Sequence, residues 1–441
     1  MKYVEQIKSA ILFILVLLSM FLTVSIWTYK PVYPTFETNS DDVEEIMIGE
    51  KKELQDILKP YRLLANNEDK LLGTTSTKSM DDMIELMQRW QINDFMLIDN
   101  DIDIEEVNEY IEKNKRFVFM FNTAIPLNQF SNVLKFGEAE LPQAAFNRIV
   151  VDWANVESRK SVDIYFLNTE NKTAYRAHAH VNDVTAYMKS MEDTLKNFMT
   201  YEEVERDNAL SLYVPTGEIE SIEYEYYINE VSVEVFKNMF FPDTPVIDRN
   251  AESDNVDRYI DGLALMTLDK YSKVVNYTYP AAENAADISP GKLLRNSFEY
   301  INEHGGFTAD YRFSSMNVDK HITEYQLYVQ GLPVFSGNIG TRIATTWGDD
   351  RIFSYRRPYY SLDIGGQTIK KLPTANDIVT YIKNNPEESL EDVQELQIGY
   401  YLTQEQERNL FKLEPSWFVV KGNSWQRILT EDVGGRANGL E

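Results

Sequence analysis

Residues 289–306 read SPGKLLRNSFEYINEHGG, and this stretch indicates the fold class of the C-terminal part of the chain. Ser289 is a favourable N-cap, and Pro290 suits the first helical position because the amide there needs no partner. Leu294, Phe298 and Ile301 repeat at intervals of four and three, so they share one helix face. Gly305 can end the helix in a left-handed conformation. Strand-like runs follow at 325–329, 339–345 and 351–355.

The same order restarts further along the chain. Thr374 is placed to cap a second helix, whose apolar residues are Ile378, Val379 and Ile382. Strand-like runs follow at 394–402, 417–421 and 425–429. A helix followed by antiparallel strands, twice, predicts the α+β class, with mixed or antiparallel sheets and helices packed on them. We therefore expect residues 287–441 to form one domain with two sub-repeats, 287–369 and 370–441.

Two further domains are expected before this one. Residues 182–286 form a middle domain that begins with a helix over residues 184–198. In residues 222–226 apolar and aromatic side chains alternate with Glu, as on a strand with one packed face. Residues 242–256 contain two prolines and several aspartates, which predicts a loop. Residues 41–181 form a first α/β domain, with helices expected at 43–58 and 80–90 and strands at 95–98, 117–121, 148–153 and 162–167.

The N-terminal segment has the length and polarity of a membrane span. Residues 10–27 are 18 consecutive uncharged residues, and at about 1.5 Å each they would extend roughly 27 Å, close to one bilayer core. We predict a cytoplasmic tail at 1–8, a transmembrane helix at 9–28 and a stalk at 29–40. The expected interface anchors are Lys8, Trp27, Tyr29 and Lys30. A cleaved signal peptide is the alternative, but the run is long and ends in a poor cleavage site.

The predicted span also carries a candidate contact surface. Ser19, Thr23 and Ile26 are spaced by four and three residues, so they share one helix face. Helices in lipid associate through small side chains and hydroxyls, because there is little hydrophobic drive between them. The stripe therefore predicts packing against helices of another membrane protein. The alternative is that the hydroxyls bond their own backbone and face lipid.

Composition excludes several classes of function. The chain has 70 acidic against 43 basic residues, a net charge of −27, and no cysteine. Nucleic acid is an unexpected partner because phosphate recognition needs a basic surface. The lack of cysteine excludes disulfides, thiolate catalysis and cysteine metal sites. Exported proteins often use disulfides, so an exported chain without cysteine suits a Gram-positive cell surface.

Two short motifs resemble metal sites but lack a required part. His178 and His180 would share one face of a strand, yet no third ligand is evident, so a metal hydrolase is only a third hypothesis. Asp99, Asp101 and Asp103 begin like a calcium loop, but position 104 is Ile where the loop needs Gly. Asp103 with Glu106 instead predicts a helix cap. We expect no metal, no cofactor and no catalytic residue.

Four segments stand out in order along the chain. These are IWTYKP at 26–31, KPYR at 59–62, INEHGG at 301–306 with YQLYVQGLPVF at 325–335, and IGY at 398–400 with LEPSW at 413–417. Taken together, they resemble the YycH (WalH) family over essentially the whole chain. The residues that carry the family motifs, expected to be structural, are Gly305, Gly306, Gly331, Pro333, Phe335, Gly399, Tyr400, Pro415 and Trp417.

The resemblance implies a regulator without enzymatic activity. Proteins of this family are encoded beside the WalK/WalR (YycG/YycF) two-component system, which controls cell-wall metabolism. They associate with YycI and with the membrane-spanning part of the sensor kinase. Their exported part has three domains, of which the last two resemble YycI. The leading hypothesis is therefore a single-pass anchored regulator of the kinase, and the alternative is a cell-wall-associated module that binds peptide or glycan.

Overall fold

The computed structural model describes residues 8, 12, 15–20 and 47–434, apart from residues 69, 139, 242–247, 254, 283–286, 349, 387, 406–407 and 423. The chain divides into two compact units, residues 1–44 and residues 45–441. In the first unit, residues 15–20 are helical. Their apolar side chains are exposed: Leu15, Val16, Leu17, Leu18 and Met20.

The predicted membrane span of residues 9–28 falls largely outside the described residues. Among the residues that are described, no helix combines the length and the apolar character needed to cross a membrane.

The second unit begins with an antiparallel sheet. Its strands are β1 (Arg62–Asn67), β2 (Lys70–Thr74), β3 (Ile92–Asp99), β4 (Arg116–Pro126), β5 (Ala145–Asp152), β6 (Ser161–Asn168), β7 (Thr173–His180), β8 (Met199–Val204) and β9 (Leu212–Pro215). The helices of this part are α1 (Leu54–Ile57), α2 (Thr77–Gln88), α3 (Ile104–Glu112), α4 (Leu127–Phe130), α5 (Val156–Arg159) and α6 (Val184–Leu195).

The strand order of this first sheet is β3-β7-β6-β5-β4-β1-β2-β8-β9. Helices cover both faces, because the central strands are apolar on both sides. Alternate residues of β1 and β4, such as Leu63 and Phe119, pack towards α2 and α6, where the rings of Trp90 and Tyr187 lie 5.4 Å apart. The other residues face α3, which buries Val107 and Ile111.

The rest of the unit builds a second sheet. Its strands are β10 (Ile219–Glu230), β11 (Asp248–Ser253), β12 (Val256–Ile260), β13 (Leu265–Asp269), β14 (Val274–Thr278), β15 (Asp310–Asn317), β16 (Ile322–Val329), β17 (Leu332–Phe335), β18 (Arg342–Trp347), β19 (Ile352–Pro358), β20 (Tyr360–Leu372), β21 (Glu395–Glu405), β22 (Leu410–Lys421) and β23 (Ser424–Ile428). The helices are α7 (Val233–Phe240), α8 (Pro290–Glu303), α9 (Ala375–Asn384) and α10 (Thr430–Gly434), with 3₁₀ turns at Pro280–Ala282 and Leu390–Asp392.

In this second sheet the strand order is β11-β12-β13-β14-β19-β18-β16-β17-β21-β22-β10-β20, with β15 on β16 and β23 on β22. The strand pairs are antiparallel except for β17 and β21, where Val334 lies opposite Tyr400. The short strand β17 therefore joins the half that carries α8 to the half that carries α9. Helix α8 packs over β16 and β18 through its buried residues, which include Leu294 and Ile301.

The mixed α+β class is confirmed, and so are the three predicted helix starts. Ser289 caps α8 with Pro290 in its first turn, Asp103 and Glu106 form the capping box of α3, and Thr374 caps α9. Each signal is local, since a cap needs only the residues of one helical turn.

Two element predictions are wrong. Of the helix expected at 43–58, only α1 forms within the described residues, because Met47 and Glu50 pair with the turn after α8, opposite Gly305 and Phe307. Residues 248–253 form β11, not a loop, and pair with β12 at the end of the second sheet. An edge strand can form through backbone hydrogen bonds alone, so a segment with few apolar residues can still be a strand.

Candidate functional site

A buried ion pair joins the two sheets. Arg62 on β1 is 2% exposed, and its Nη1 donates to Oε1 of Glu395, the first residue of β21, at 2.8 Å. The hydroxyl of Tyr61 donates to the other carboxylate oxygen at 2.5 Å. Burial raises the pKa of Tyr61, and the charge of Glu395 raises it further. Burial alone would lower the pKa of Arg62, but the neighbouring groups, of which the Glu395 carboxylate is the strongest, together raise it above its usual value.

A second polar contact joins the sheets nearby. The fully buried Arg312 on β15 donates from Nη2 to Asp310 and to the hydroxyl of Thr77 on α2, both at 2.8 Å. Its guanidinium lies 4.3 Å from the ring centroid of Tyr328. The hydroxyl of that tyrosine accepts a hydrogen bond of 2.9 Å from Asn122 on β4. The two sheets are thus held together at two separate polar junctions.

A cleft of about 590 Å³ lies at this boundary, lined by members of both junctions: Tyr61, Asn122, Tyr328 and Glu395. Its volume falls in the range of small-molecule and peptide sites. The first sheet contributes Asn122 from β4, Arg148 from β5, and residues of the β6–β7 turn and the β8–β9 loop. The second sheet contributes residues of β15, β16, β17, β18, β21, β22 and β23.

The cations that line the cleft differ in how they are neutralised. Arg342 donates to Gln326 at 2.8 Å and lies 3.5 Å from the carboxylate of Glu324. Arg206 donates to backbone carbonyls, including that of Leu390 at 2.8 Å, and burial lowers its pKa. Arg148 donates from Nη1 to two β-strand carbonyls, and its buried Nε has no hydrogen-bond partner within the described ranges. Among the described residues, none places a carboxylate within ion-pair distance of Arg148.

Aromatic rings form one wall of the cleft. Trp425 on β23 and Phe335 on β17 both line it, with ring centroids 5.2 Å apart. Phe418 supports Phe335 from behind at 4.6 Å. A Cβ at Gly399 would lie 2.8 Å from the carbonyl of Pro333 and 3.2 Å from each of the two phenylalanine rings, so only glycine leaves room for this contact.

The motif residues Gly331, Pro333 and Phe335 lie beside the cleft. Gly331 has φ +82° in the turn between β16 and β17, and a Cβ there would lie 2.7 Å from the carbonyl of Thr75 in the first sheet's part of the unit. Pro333 lies opposite Tyr328 in the hairpin and lines the cleft, as Phe335 does. The sequence predicts that these residues are structural. The structure places Pro333 and Phe335 on the cleft wall.

The other motif residues lie away from the cleft wall. Gly305 and Gly306 follow α8 and have φ +95° and +66°. Met47 pairs with Gly305 in a backbone β-bridge at this turn. Tyr400 is buried opposite Pro415 between β21 and β22. Trp417, 1% exposed, donates from Nε1 at 2.9 Å to a carbonyl just before α9.

The residues predicted for membrane contact can be placed only in part. Lys8 and Ser19 are helical and exposed. Thr23 and Ile26 of the proposed stripe, and the interface residues Trp27, Tyr29 and Lys30, lie outside the described residues.

The histidine motif lies on a wet strand face. In β7 Ala177 and Ala179 are buried, whereas His178 is partly exposed and His180 exposed. The Nδ1 of His178 is 2.5 Å from the carboxylate of Asp163, directly opposite on β6. Within the ranges that the structure describes, no group of three or more potential ligands could hold a metal ion.

An acidic pair that the sequence did not indicate lies at the end of α3. Glu112 shares a hydrogen bond with Glu203 of β8, and burial followed by this contact raises the pKa of Glu112 to about 7. The buried hydroxyl of Tyr213 nearby has no hydrogen-bond partner among the described residues. Burial raises its pKa, and the two carboxyl groups add to the shift.

Comparison with known proteins finds matches along almost the whole chain. Two family models match, the YycH protein N-terminal domain over residues 5–196 and the YycH protein C-terminal domain over residues 209–432. The chain is 18% identical over 447 residues to the "Two-component system WalR/WalK regulatory protein YycH" of Bacillus subtilis (strain 168), covering 97% of each chain.

The fold is also that of a solved structure. The crystal structure of YycH from Bacillus subtilis superposes with a TM-score of 0.74 at 16% identity, covering 87% of this chain and 99% of that one. Because the two family models together cover most of the sequence in order, and the relative matches from end to end, the chain belongs to the YycH family.

Proposed function

We propose that this protein is a non-enzymatic regulator of a WalR/WalK-type two-component system, and that it acts on the sensor kinase. The observation that carries the proposal is the match over 97% of the chain to a protein named as a WalR/WalK regulatory protein. In support, the sequence contains no nucleophile elbow and no zinc-protease motif.

The protein is anchored by one transmembrane helix at residues 9–28, with its N-terminus in the cytoplasm. The support is the uncharged run of residues 10–27 and the exposed apolar side chains of helical residues 15–20. Apolar side chains that are exposed together in a helix suit a lipid environment. On this proposal the stalk and three domains, at 41–181, 182–286 and 287–441, lie outside the cell.

The kinase contact is made within the membrane. Ser19, Thr23 and Ile26 pack on the membrane helices of the kinase, in a complex that includes a YycI-like partner. On this proposal the last two domains are YycI-like and take part in that association. Regulation follows if the helix binds one signalling state of the kinase more tightly than the other, since only differential affinity shifts a conformational equilibrium.

Substitutions in the helix test this mechanism. Ser19→Leu and Thr23→Leu keep the segment apolar but replace the small hydroxyl residues with bulky ones. Ser25→Leu is the matched control, because at 100° per residue it points away from the stripe. Kinase association is measured by a bacterial two-hybrid assay, and kinase output by a reporter gene for the response regulator.

We expect both stripe variants to weaken association and change output while Ser25→Leu does neither. If all three variants behave like the unmodified chain, the contact through this face is wrong. If the control is as defective as the stripe variants, the effect comes from general damage to the anchor. If residues 47–441 without the anchor still regulate the kinase, docking through lipid is wrong.

A further inference from the structure

The cleft between the sheets contains an unneutralised cation. Arg148 faces a cavity in a chain of net charge −27, and no carboxylate of the described residues pairs with it. Four glutamates line the same cavity, and two of them, Glu324 and Glu395, pair with Arg342 and Arg62. Glu391 accepts hydrogen bonds from backbone amides, and Glu170 forms no ion pair with a described residue. A guanidinium presents several donors in a planar fork that matches a carboxylate. The Nε of Arg148 is buried without a hydrogen-bond partner among the described residues and is out of a ligand's reach. A ligand would instead bind Nη2, which makes no hydrogen bond within the part of the chain that the structure describes.

The backbone beside Arg148 is irregular. In the β4–β5 ladder Met120 lies opposite Arg148 and Ile125 lies opposite Phe146. Residues 121–124 of β4 thus oppose the single residue Asn147, and Phe121, Asn122 and Thr123 line the cleft. A bulge of this kind takes backbone donors and acceptors out of the regular ladder. Such backbone donors and acceptors can pair with the alternating N–H and C=O groups of an extended peptide.

The opposite wall provides an apolar contact. The ring of Trp425 is partly exposed and packs against that of Phe335 at an interplanar angle of 34°. Gln397, on the neighbouring strand β21, adds a side-chain amide to the lining. Aromatic side chains of this kind supply apolar contact area in ligand sites, and amides fix orientation.

We propose that this cleft binds the C-terminal end of a short peptide, with its terminal carboxylate on Arg148, its backbone along residues 121–124 and an apolar side chain against Trp425. The proposal goes beyond regulation through the membrane helix, and it gives the exported part a ligand of defined chemistry. An occupant would touch both sheets, because the lining comes from both.

The experiment uses the full-length chain in detergent micelles and isothermal titration calorimetry. The probe is the tripeptide N-acetyl-alanyl-alanyl-phenylalanine with a free carboxylate, compared with the same peptide as its C-terminal amide. Trigalacturonic acid is the third probe, because it offers carboxylates on a sugar chain. The variants are Arg148→Gln, Arg148→Lys and Trp425→Ala. Arg159→Gln, at an exposed position outside the cleft lining, is the control.

We expect the acid peptide to bind at least tenfold more tightly than the amide, since a charge-assisted bond to the guanidinium is lost in the amide. Arg148→Gln should remove this preference, Arg148→Lys should keep part of it, and Arg159→Gln should keep all of it. Trp425→Ala should weaken both peptides.

Three results overturn the proposal. These are equal binding of acid and amide, no saturable binding of the acid peptide below 10 mM, or unchanged binding by Arg148→Gln. Tighter binding of trigalacturonic acid than of the peptide would assign the cleft to an acidic glycan. If Arg148→Gln does not fold, the ratio of acid to amide affinity on the unmodified chain still decides the question.

Discussion

Replacing Glu395 by Gln should strongly weaken the junction between the two sheets. The substitution is isosteric, but it removes the charge and replaces one of the two acceptor oxygens by an NH2 donor. Tyr61 and Arg62 contact different oxygens of Glu395, so they cannot both keep an acceptor. The side chain of Arg62 is 3% exposed and that of Glu395 15%, so solvent screens the pair poorly. Arg62 would then be a buried cation whose remaining partner is a backbone carbonyl on β21 at 3.3 Å.

The expected loss follows from that burial. Removing one partner of a buried ion pair costs about 3–5 kcal/mol, because the other charge stays buried without compensation. Tyr61→Phe removes only the neutral donor and should cost about 1.5–3 kcal/mol, the range for a hydrogen bond to a charged group. The double variant Arg62→Met with Glu395→Leu removes both charges and should recover most of the loss.

Chemical unfolding of the full-length chain, followed by the fluorescence of its six tryptophans, measures these differences. Trp417 and Trp425 contribute to this signal from β22 and β23. Hydrogen exchange of β1 and β21 is measured in parallel, because a chain of several domains can unfold in steps. Glu395→Gln should raise exchange first in these two strands. A loss below 1 kcal/mol, or a double variant as unstable as Glu395→Gln, would refute the reasoning.

Two further predictions concern pH and glycine. The pKa of Glu112 is raised to about 7, so folding favours its protonated form, and the free energy of unfolding falls as pH rises from 4.5 to 7. Glu112→Gln should mimic the protonated side chain that bonds Glu203, and urea midpoints measured over this pH range should then fall less steeply. Identical pH profiles for the variant and the unmodified chain would contradict this. Gly331→Ala should cost about 1–2 kcal/mol of stability for its positive φ, plus the cost of the clash with Thr75. This loss should exceed that of Gly217→Ala, where φ is +88° and no atom lies near the added Cβ. Equal losses of stability in thermal unfolding would contradict the clash.

The candidate cleft shows how far sequence reasoning reaches for a site. Pro333 and Phe335 stand out in the sequence because they belong to a family motif, but nothing in the motif indicates that they line a cavity. Arg148 and Trp425 carry no signal at all, since an arginine in a strand and a tryptophan near the C-terminus are ordinary. Their roles arise only where two sheets meet.

The sequence by itself determined the features that depend on neighbouring residues. Ser289, Asp103 and Thr374 start their helices because a cap needs only one turn of chain, and the alternation in β7 identified the wet face of His178. Tertiary structure alone decided the pairing of Met47 with Gly305, the edge strand β11, and the ion pair between Arg62 and Glu395, whose members are 333 residues apart. Contacts of this kind depend on how sheets are juxtaposed, and burial gives them their energy, so no local pattern records them.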